Sequence, residues 1–357
     1  MTSLQLVPRA TPSSRWTWLS PVVAIALTLL AGCALFAALG KNPLQALSVF
    51  IVAPLTSVRG LQELALKATP LVLCGLGLAV CFRANVWNIG AEGQLIAGAI
   101  VGGGVALLAT PESPRVWFIG VLLASMLGGA LWASVTAWLR DRFNANEILV
   151  SLMLVYVAQQ LISWFVQGPW RDPGGYGFPQ TELFAAAARV PLLFEGSRLN
   201  AGAVLALLAA AAIWWMLARS VLGFRLKVVG LAPRAVRYAG FSSRRSLWIA
   251  LLISGSLAGL AGGLEVAGPI GQLTGTISPG YGFAAIIVAF VGRLHPVGVI
   301  LASLAMALFY IGGELAQSRL GLPSALTGVY QGLLLFFLLA CDTLVHYRVQ
   351  VVGARVA

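Results

Sequence analysis

Asn85-Val86-Trp87-Asn88-Ile89-Gly90-Ala91-Glu92-Gly93-Gln94 lies between two long apolar runs and carries a carboxylate, glycines and side-chain amides. Backbone exposed to lipid has to be helical or closed into a barrel, because hydrocarbon cannot satisfy a broken hydrogen bond. A polar, Gly-interrupted segment between spans therefore faces protein or a water-filled path. A carboxylate at that depth marks a functional site by default.

The composition around this stretch says which solvent the chain is built for. Of 357 residues, 59% are hydrophobic and only 10% are charged, with a mean hydropathy of +0.90. Soluble domains carry roughly 25% charged residues, so an ordinary soluble enzyme is excluded. A barrel would show short alternating strands; this chain shows long apolar runs, which predict an all-α polytopic membrane protein. The net charge of +12 fits basic inner loops against anionic membrane lipid, and nucleic acid is not needed as a partner. Cys33, Cys74, Cys81 and Cys341 form no CxxC pair, so neither a metal site nor a disulfide framework is indicated. Leu30-Ala31-Gly32-Cys33 resembles a lipoprotein processing box, but the apolar run continues past it and reads as a retained first helix.

A span needs about 20 apolar residues. Candidates cover residues 19–39, 64–82, 94–109, 116–139, 148–166, 199–217, 247–267, 297–317 and 326–340. The run 283–291 is short: alone it is a re-entrant piece, and counted as a crossing it brings the total to ten. Charge asymmetry favours ten. Arg219, Arg225, Lys227, Arg234, Arg237, Arg244 and Arg245 crowd one loop without an acid, which predicts a cytoplasmic loop over 218–246. The loop 167–198 balances its charges and is placed outside. Tails at 1–18 and 341–357 are then both cytoplasmic, with one transmembrane domain over the whole chain, 1–357.

Small residues recur at helical spacing. Gly255, Gly259 and Gly263 line one face of a span, as do Gly98 and Gly102. Such spacing lets helix backbones approach closely, and packing is the preferred reading over any ligand role. Gly- and Pro-interrupted regions follow the second span (83–94) and the seventh (268–296), a layout that points to inverted repeats around a central site. Several of the eleven tryptophans (Trp16, Trp18, Trp117 and Trp170) sit near span ends, as in interfacial belts. Trp87 sits inside the signature, where it serves either local packing or stacking on a planar ligand. In the basic loop, Pro233 suits the start of a short helix and Gly240 its end.

These segments together resemble the permease subunits of ATP-binding-cassette importers for simple sugars and nucleosides, the branched-chain amino acid and ribose-type permease family. The resemblance is carried by Asn88-Ile89-Gly90-Ala91-Glu92-Gly93-Gln94, by Asn146-Glu147, and by Gly168-Pro169-Trp170-Arg171-Asp172-Pro173 with Pro179-Gln180-Thr181. It continues through Gly230, Pro233-Arg234-Ala235 and Tyr238-Ala239-Gly240, through residues 254–265, and through Gly292-Arg293-Leu294-His295-Pro296. The motifs follow family order. Departures are His295 and Ala232, where the family more often has Asn.

The resemblance implies a division of labour. This chain forms the translocation path, with Trp87, Asn88, Glu92 and Gln94 as its signature. A separate ATPase subunit docks on residues 232–240, with Gly230, Pro233, Arg234, Arg237, Tyr238 and Gly240 as contacts. A periplasmic or lipoprotein substrate-binding protein delivers cargo to Trp170, Arg171 and Asp172. A second homologous permease completes the path, in the bacterial cytoplasmic (inner) membrane. No cofactor is implied for the chain itself. It has no GxxxxGK[ST] loop, so ATP is used by the partner.

Two other classes remain to be weighed. An ion-coupled secondary transporter of small polar solutes would use Glu92 as its mid-membrane carboxylate; the basic docking segment argues against it. An intramembrane enzyme lacks support, with His295 and His346 the only histidines and neither HExxH nor GxSxG present. Glu92 itself either lines the path or caps a half-helix N-terminus, where a carboxylate gains about 0.3–1 kcal/mol; the structural role is preferred.

Overall fold

The computed structural model describes residues 3–9, 13–232, 236, 238 and 240–352. In chain order, β1 (Ser3–Pro8) and α1 (Ser14–Ala38) precede α2 (Pro43–Leu47), which runs on irregularly to Leu55. Then come α3 (Val58–Arg83), α4 (Ala91–Leu107), α5 (Trp117–Phe143), α6 (Glu147–Gln167), α7 (Gly202–Arg219) and α8 (Val221–Leu231). The chain closes with α9 (Ser243–Glu265), α10 (Tyr281–Val291), α11 (Pro296–Leu320), α12 (Leu326–His346) and β2 (Tyr347–Val352). The fold is that of an all-α, multi-pass membrane protein, 74% helical.

Each of the ten expected spans has a helix. Among the described residues, eight helices are long and apolar enough to cross a membrane, and α4 and α10 are shorter apolar helices. At about 1.5 Å per residue, the 11 residues of α10 rise about 16 Å, half of a hydrocarbon core of about 30 Å. It is a half-helix. Helix α8, inside the expected coupling loop, was not anticipated, nor were the terminal strands.

The chain forms two compact units, residues 58–307 and residues 1–57 with 308–357. In the larger, α3 is the most enclosed helix, with 83% of its apolar window buried, against 22% for α6 and α7. Helices α4, α5 and α9 pack by size rather than polarity. On α5, Ser125, Gly129 and Ala133 face inward while Leu123, Leu127 and Leu131 face out. A side chain at Gly259 would strike the Ser125 carbonyl and approach Gly129 Cα to 2.9 Å; one at Gly255 would meet Gly129 O at 2.5 Å. Gly263 abuts the Ser125 hydroxyl, and Gly98 lies against Gly259. Lipid tails are as apolar as Leu, so close backbone packing is what holds such helices together. Overpacking there costs about 1–3 kcal/mol or more.

In the smaller unit α1 packs along α12, with Gly32 against the Tyr330 ring. Phe36, Phe50, Phe309 and Tyr330 form an aromatic cluster, with Phe50 and Tyr330 stacked at 4.5 Å. Ser20 donates to Asp342 at 2.9 Å. Strands β1 and β2 pair antiparallel, Ser3 opposite Val352 and Pro8 opposite Tyr347.

Candidate functional site

After α3 the backbone turns at Asn85, whose φ of 54° is left-handed and suits Asn better than most residues. The next residues are irregular, and burial alternates along them, with Val86, Asn88 and Gly90 buried and Asn85 and Trp87 exposed. The fully buried Asn88 carboxamide exchanges two 3.0 Å hydrogen bonds with Gln94. Its Nδ2 also donates to Ser254 Oγ, and its Oδ1 accepts from the Gly90 N–H, both at 3.0 Å. A carboxamide has two donors and two acceptor sites, so this side chain is saturated. The Ile89 N–H donates to Ser151 Oγ at 3.2 Å. Because Ser254 is the twelfth residue of the 23-residue α9, the break ends about 16 Å along that helix, at half its length.

A second break reaches the same level from the other direction. Helix α9 runs into a π turn (Val266–Ile270), and Gly271 (φ 74°) ends it. The loop 167–198 then holds the chain: Thr181 N–H donates to Leu273 O and Leu273 N–H to Thr181 Oγ1, each at 3.0 Å. Ser278 Oγ accepts from Gly280 (3.1 Å) and Tyr281 (2.9 Å), capping α10 after Gly280 at φ 94°.

Helix α4 and the half-helix α10 meet at Glu92. Its Oε2 accepts from the Gly282 N–H at 2.6 Å, and a side chain at Gly282 would collide with the Glu92 backbone. The first turns of α4 and α10 therefore touch, and each brings the positive end of a helix dipole. One carboxylate, 2% exposed, sits between them. Helix N-termini that converge within a bundle are a recurring way to build a membrane transport site.

Trp87 is the exception in this buried signature, at 40% exposure. Its indole N–H donates to Asn85 Oδ1 at 3.2 Å. The ring lies 5.3 Å from Phe82 and 6.2 Å from Phe290, which stack on each other at 5.1 Å. Among the described residues the Trp87 backbone N–H has no hydrogen-bond partner.

The other expected contacts lie apart from this centre. Trp170 stacks on Phe165 at 4.1 Å and packs against Gly104. Arg171 is exposed, and Asp172 Oδ1 accepts from Gly174 at 2.8 Å, so the motif is a self-braced turn. Of the docking residues, Pro233, Arg234 and Arg237 lie outside the described residues. Gly230 abuts the Arg83 carbonyl, Tyr238 is 96% exposed, and Gly240 has a φ of 70°. Beside Gly240 a cavity of about 230 Å³ is lined by Arg225, Leu226, Phe241, Ser242 and Arg245. His295 Nδ1 accepts from the Val297 N–H at 3.3 Å, a loop cap.

Sequence reasoning did not single out Ser151, Ser278, Gly282 or Asp141. Ser278-Pro279-Gly280 ahead of an apolar run is a readable helix start. Asp141 accepts from Arg244 (2.5 Å) and Trp248 (3.0 Å), and Arg140 pairs with Glu147 at 2.5 Å; nothing in the sequence announces the Asp141 pairing across about a hundred residues.

A multi-pass bundle with broken helices meeting at a buried carboxylate defines a membrane permease. Residues 60–339 match the family described as branched-chain amino acid transport system / permease component, and the chain belongs to it. It is 37% identical to the glucose ABC transporter permease protein TsgB13 of Haloferax volcanii, over 99% of this chain and 95% of that one. It is 31% identical to the guanosine ABC transporter permease protein NupP of Bacillus subtilis, over 89% and 92%. The fold resembles a metal-chelate type ABC transporter in an inward-facing conformation, with a TM-score of 0.50 and 16% identity, covering 90% of this chain and 99% of that one. The chain is thus an ABC transporter permease and not an enzyme. The family implies an ATPase and a binding protein as partners, and the ion-coupled carrier is set aside.

Proposed function

We propose that the chain is one of two homologous permeases that import a nucleoside or a simple sugar across the bacterial cytoplasmic membrane. The observation that carries this reading is the meeting of the N-termini of α4 and α10 at Glu92, beside a break whose Trp87 N–H is unpaired within the described residues. Unpaired backbone at membrane depth needs water, and water there means a path. Relatives named for glucose and for guanosine support the cargo class.

The ATPase docks on the basic loop 218–246, its contacts being Gly230, Pro233, Arg234, Arg237, Tyr238 and Gly240. The binding protein docks at Trp170, Arg171 and Asp172. Both termini are cytoplasmic; the pairing of β1 with β2 supports an even number of crossings, and the basic loop sets the side. Reconstituted with its ATPase, second permease and binding protein, the chain is expected to take up guanosine or glucose only when ATP is present, and Arg234→Glu is expected to cut uptake at least about tenfold in an intact chain. Uptake that follows a proton gradient without nucleotide refutes the reading.

A further inference from the structure

The buried polar side chains of the signature are spent on protein. Asn88 is saturated, Gln94 is paired with it, and Glu92 holds Gly282. Helix α6 carries polar groups that are not spent. Its 21 residues rise about 31 Å, which matches a hydrocarbon core of about 30 Å. One face is committed: Ser151, Val155, Ala158, Ile162 and Val166 are buried, with Ser151 against Gly90 and Val155 against Gly93. On the opposite face Tyr156, Gln159, Gln160, Ser163 and Gln167 recur at i, i+3, i+4, i+7 and i+11, the spacing of one helical stripe. Tyr156 and the three glutamines are exposed, and Ser163 is half-buried. Ser163 donates to Gln159 O at 2.9 Å. Among the described residues no hydrogen bond reaches the Tyr156 hydroxyl or any of the three carboxamides. Nearer the start of the helix the same face is apolar, at Leu149 and Met153.

Other outward faces show what lipid demands. Helix α7 carries no hydroxyl or amide side chain between Gly202 and Ala218. Helix α5 turns out Leu123, Leu127 and Leu131, buries Ser125 and Thr136, and closes Ser134 onto the Leu131 carbonyl at 2.6 Å. Gln159 and Gln160 stand about 10–12 Å before the end of α6 at Gln167, within the hydrocarbon layer rather than at its edge. Unpartnered amides are costly in hydrocarbon, so this face meets water or protein. A lone polar side chain serves as glue between helices. A polar stripe that runs unbroken from mid-helix to the start of the loop 167–198 is an open track. We infer that this stripe is a wall of the translocation path and that Gln159 and Gln160 touch the solute in passage. Carboxamides donate, accept and carry no charge, which suits a neutral hydrogen-bonding solute and not an ion. The inference rests on the import reading above and adds where the solute meets the chain.

The test uses the complete complex with its ATPase, second permease and binding protein. In a chain whose four native cysteines are replaced by alanine, Gln160→Cys and Ser163→Cys are expected to react with a membrane-impermeant, hydrophilic thiol reagent from one side of the membrane. Leu207→Cys and Leu208→Cys, at exposed positions of α7, are expected to stay unlabelled. Silence at 160 and 163 from both sides overturns the inference, and a cross-link from 160 to the second permease then marks a dry subunit contact. In the native background, the pair Gln159→Leu and Gln160→Leu is expected to slow ATP-driven uptake about tenfold at equal assembly, as for loss of one or two hydrogen bonds. The pair Gln159→Asn and Gln160→Asn keeps the amides and is expected to recover most of the rate. Unchanged uptake by the Leu pair overturns the solute contact. Labelling is read without cargo, so the two readings fail separately. Wild type that imports neither guanosine nor glucose refutes the cargo class, while labelling still decides whether the stripe faces water.

Discussion

The break at residues 84–90 is fastened from within by side chains, whereas the break at residues 271–280 is fastened by backbone conformation and a distant loop. In the first, Asn88 occupies all four of its hydrogen-bonding sites, and Ser254 and Ser151 reach in from two other helices. In the second, Gly271 and Gly280 supply left-handed turns, Thr181 pairs with Leu273, and Ser278 caps the helix that follows. Both must solve the same problem, satisfying interrupted backbone away from lipid. The side-chain solution makes a rigid seat. The glycine-and-loop solution ties α10 to the loop 167–198, where the binding protein is proposed to act. Glu92 joins the two, opening α4 while accepting from Gly282 at the start of α10.

Removing that shared residue has the largest expected effect. Glu92→Ala leaves the Gly282 N–H buried without its acceptor and two helix N-termini facing each other without an anion. Loss of a hydrogen bond to a charged group costs about 1.5–3 kcal/mol, and uptake by the assembled complex should vanish. Normal uptake by this variant would dissolve the link between the breaks. The next comparison sets the breaks against each other. Asn88→Ala strips partners from Gln94, Ser254 and Gly90 and should destabilise by about 1–3 kcal/mol; Gly280→Ala forces a side chain into a left-handed backbone and should cost about 1–2 kcal/mol. Thermal unfolding of the purified chain reads both. A larger loss at Gly280 than at Asn88 would invert the assignment of the rigid seat.

Much of this was legible in the sequence, for reasons that differ by region. Long apolar runs declare their helices because twenty residues must match the hydrocarbon, and the Gly255–Gly259–Gly263 spacing declares a close-packed face directly. The amide-rich signature stood out because such groups are costly in lipid. What Glu92 binds was not legible: its partner lies 190 residues away and contributes only a main-chain N–H. The inward and outward alternation of residues 85–90 was likewise hidden, since six residues are too few for a period to show. The terminal strands escaped notice because Ser3–Pro8 and Tyr347–Val352 are short and lie at opposite ends of the chain.

The central claim is that the first break faces a water-filled path. With the four native cysteines replaced by alanine, single cysteines at positions 85 and 87 are compared in intact membranes with cysteines at 127 and 131, where Leu127 and Leu131 are 62% and 66% exposed on α5. A membrane-impermeant, hydrophilic thiol reagent applied to right-side-out and inverted vesicles should label 85 and 87 in at least one orientation and leave 127 and 131 untouched. If 85 and 87 stay as unreactive as the lipid-facing pair in both orientations, the break does not line a path.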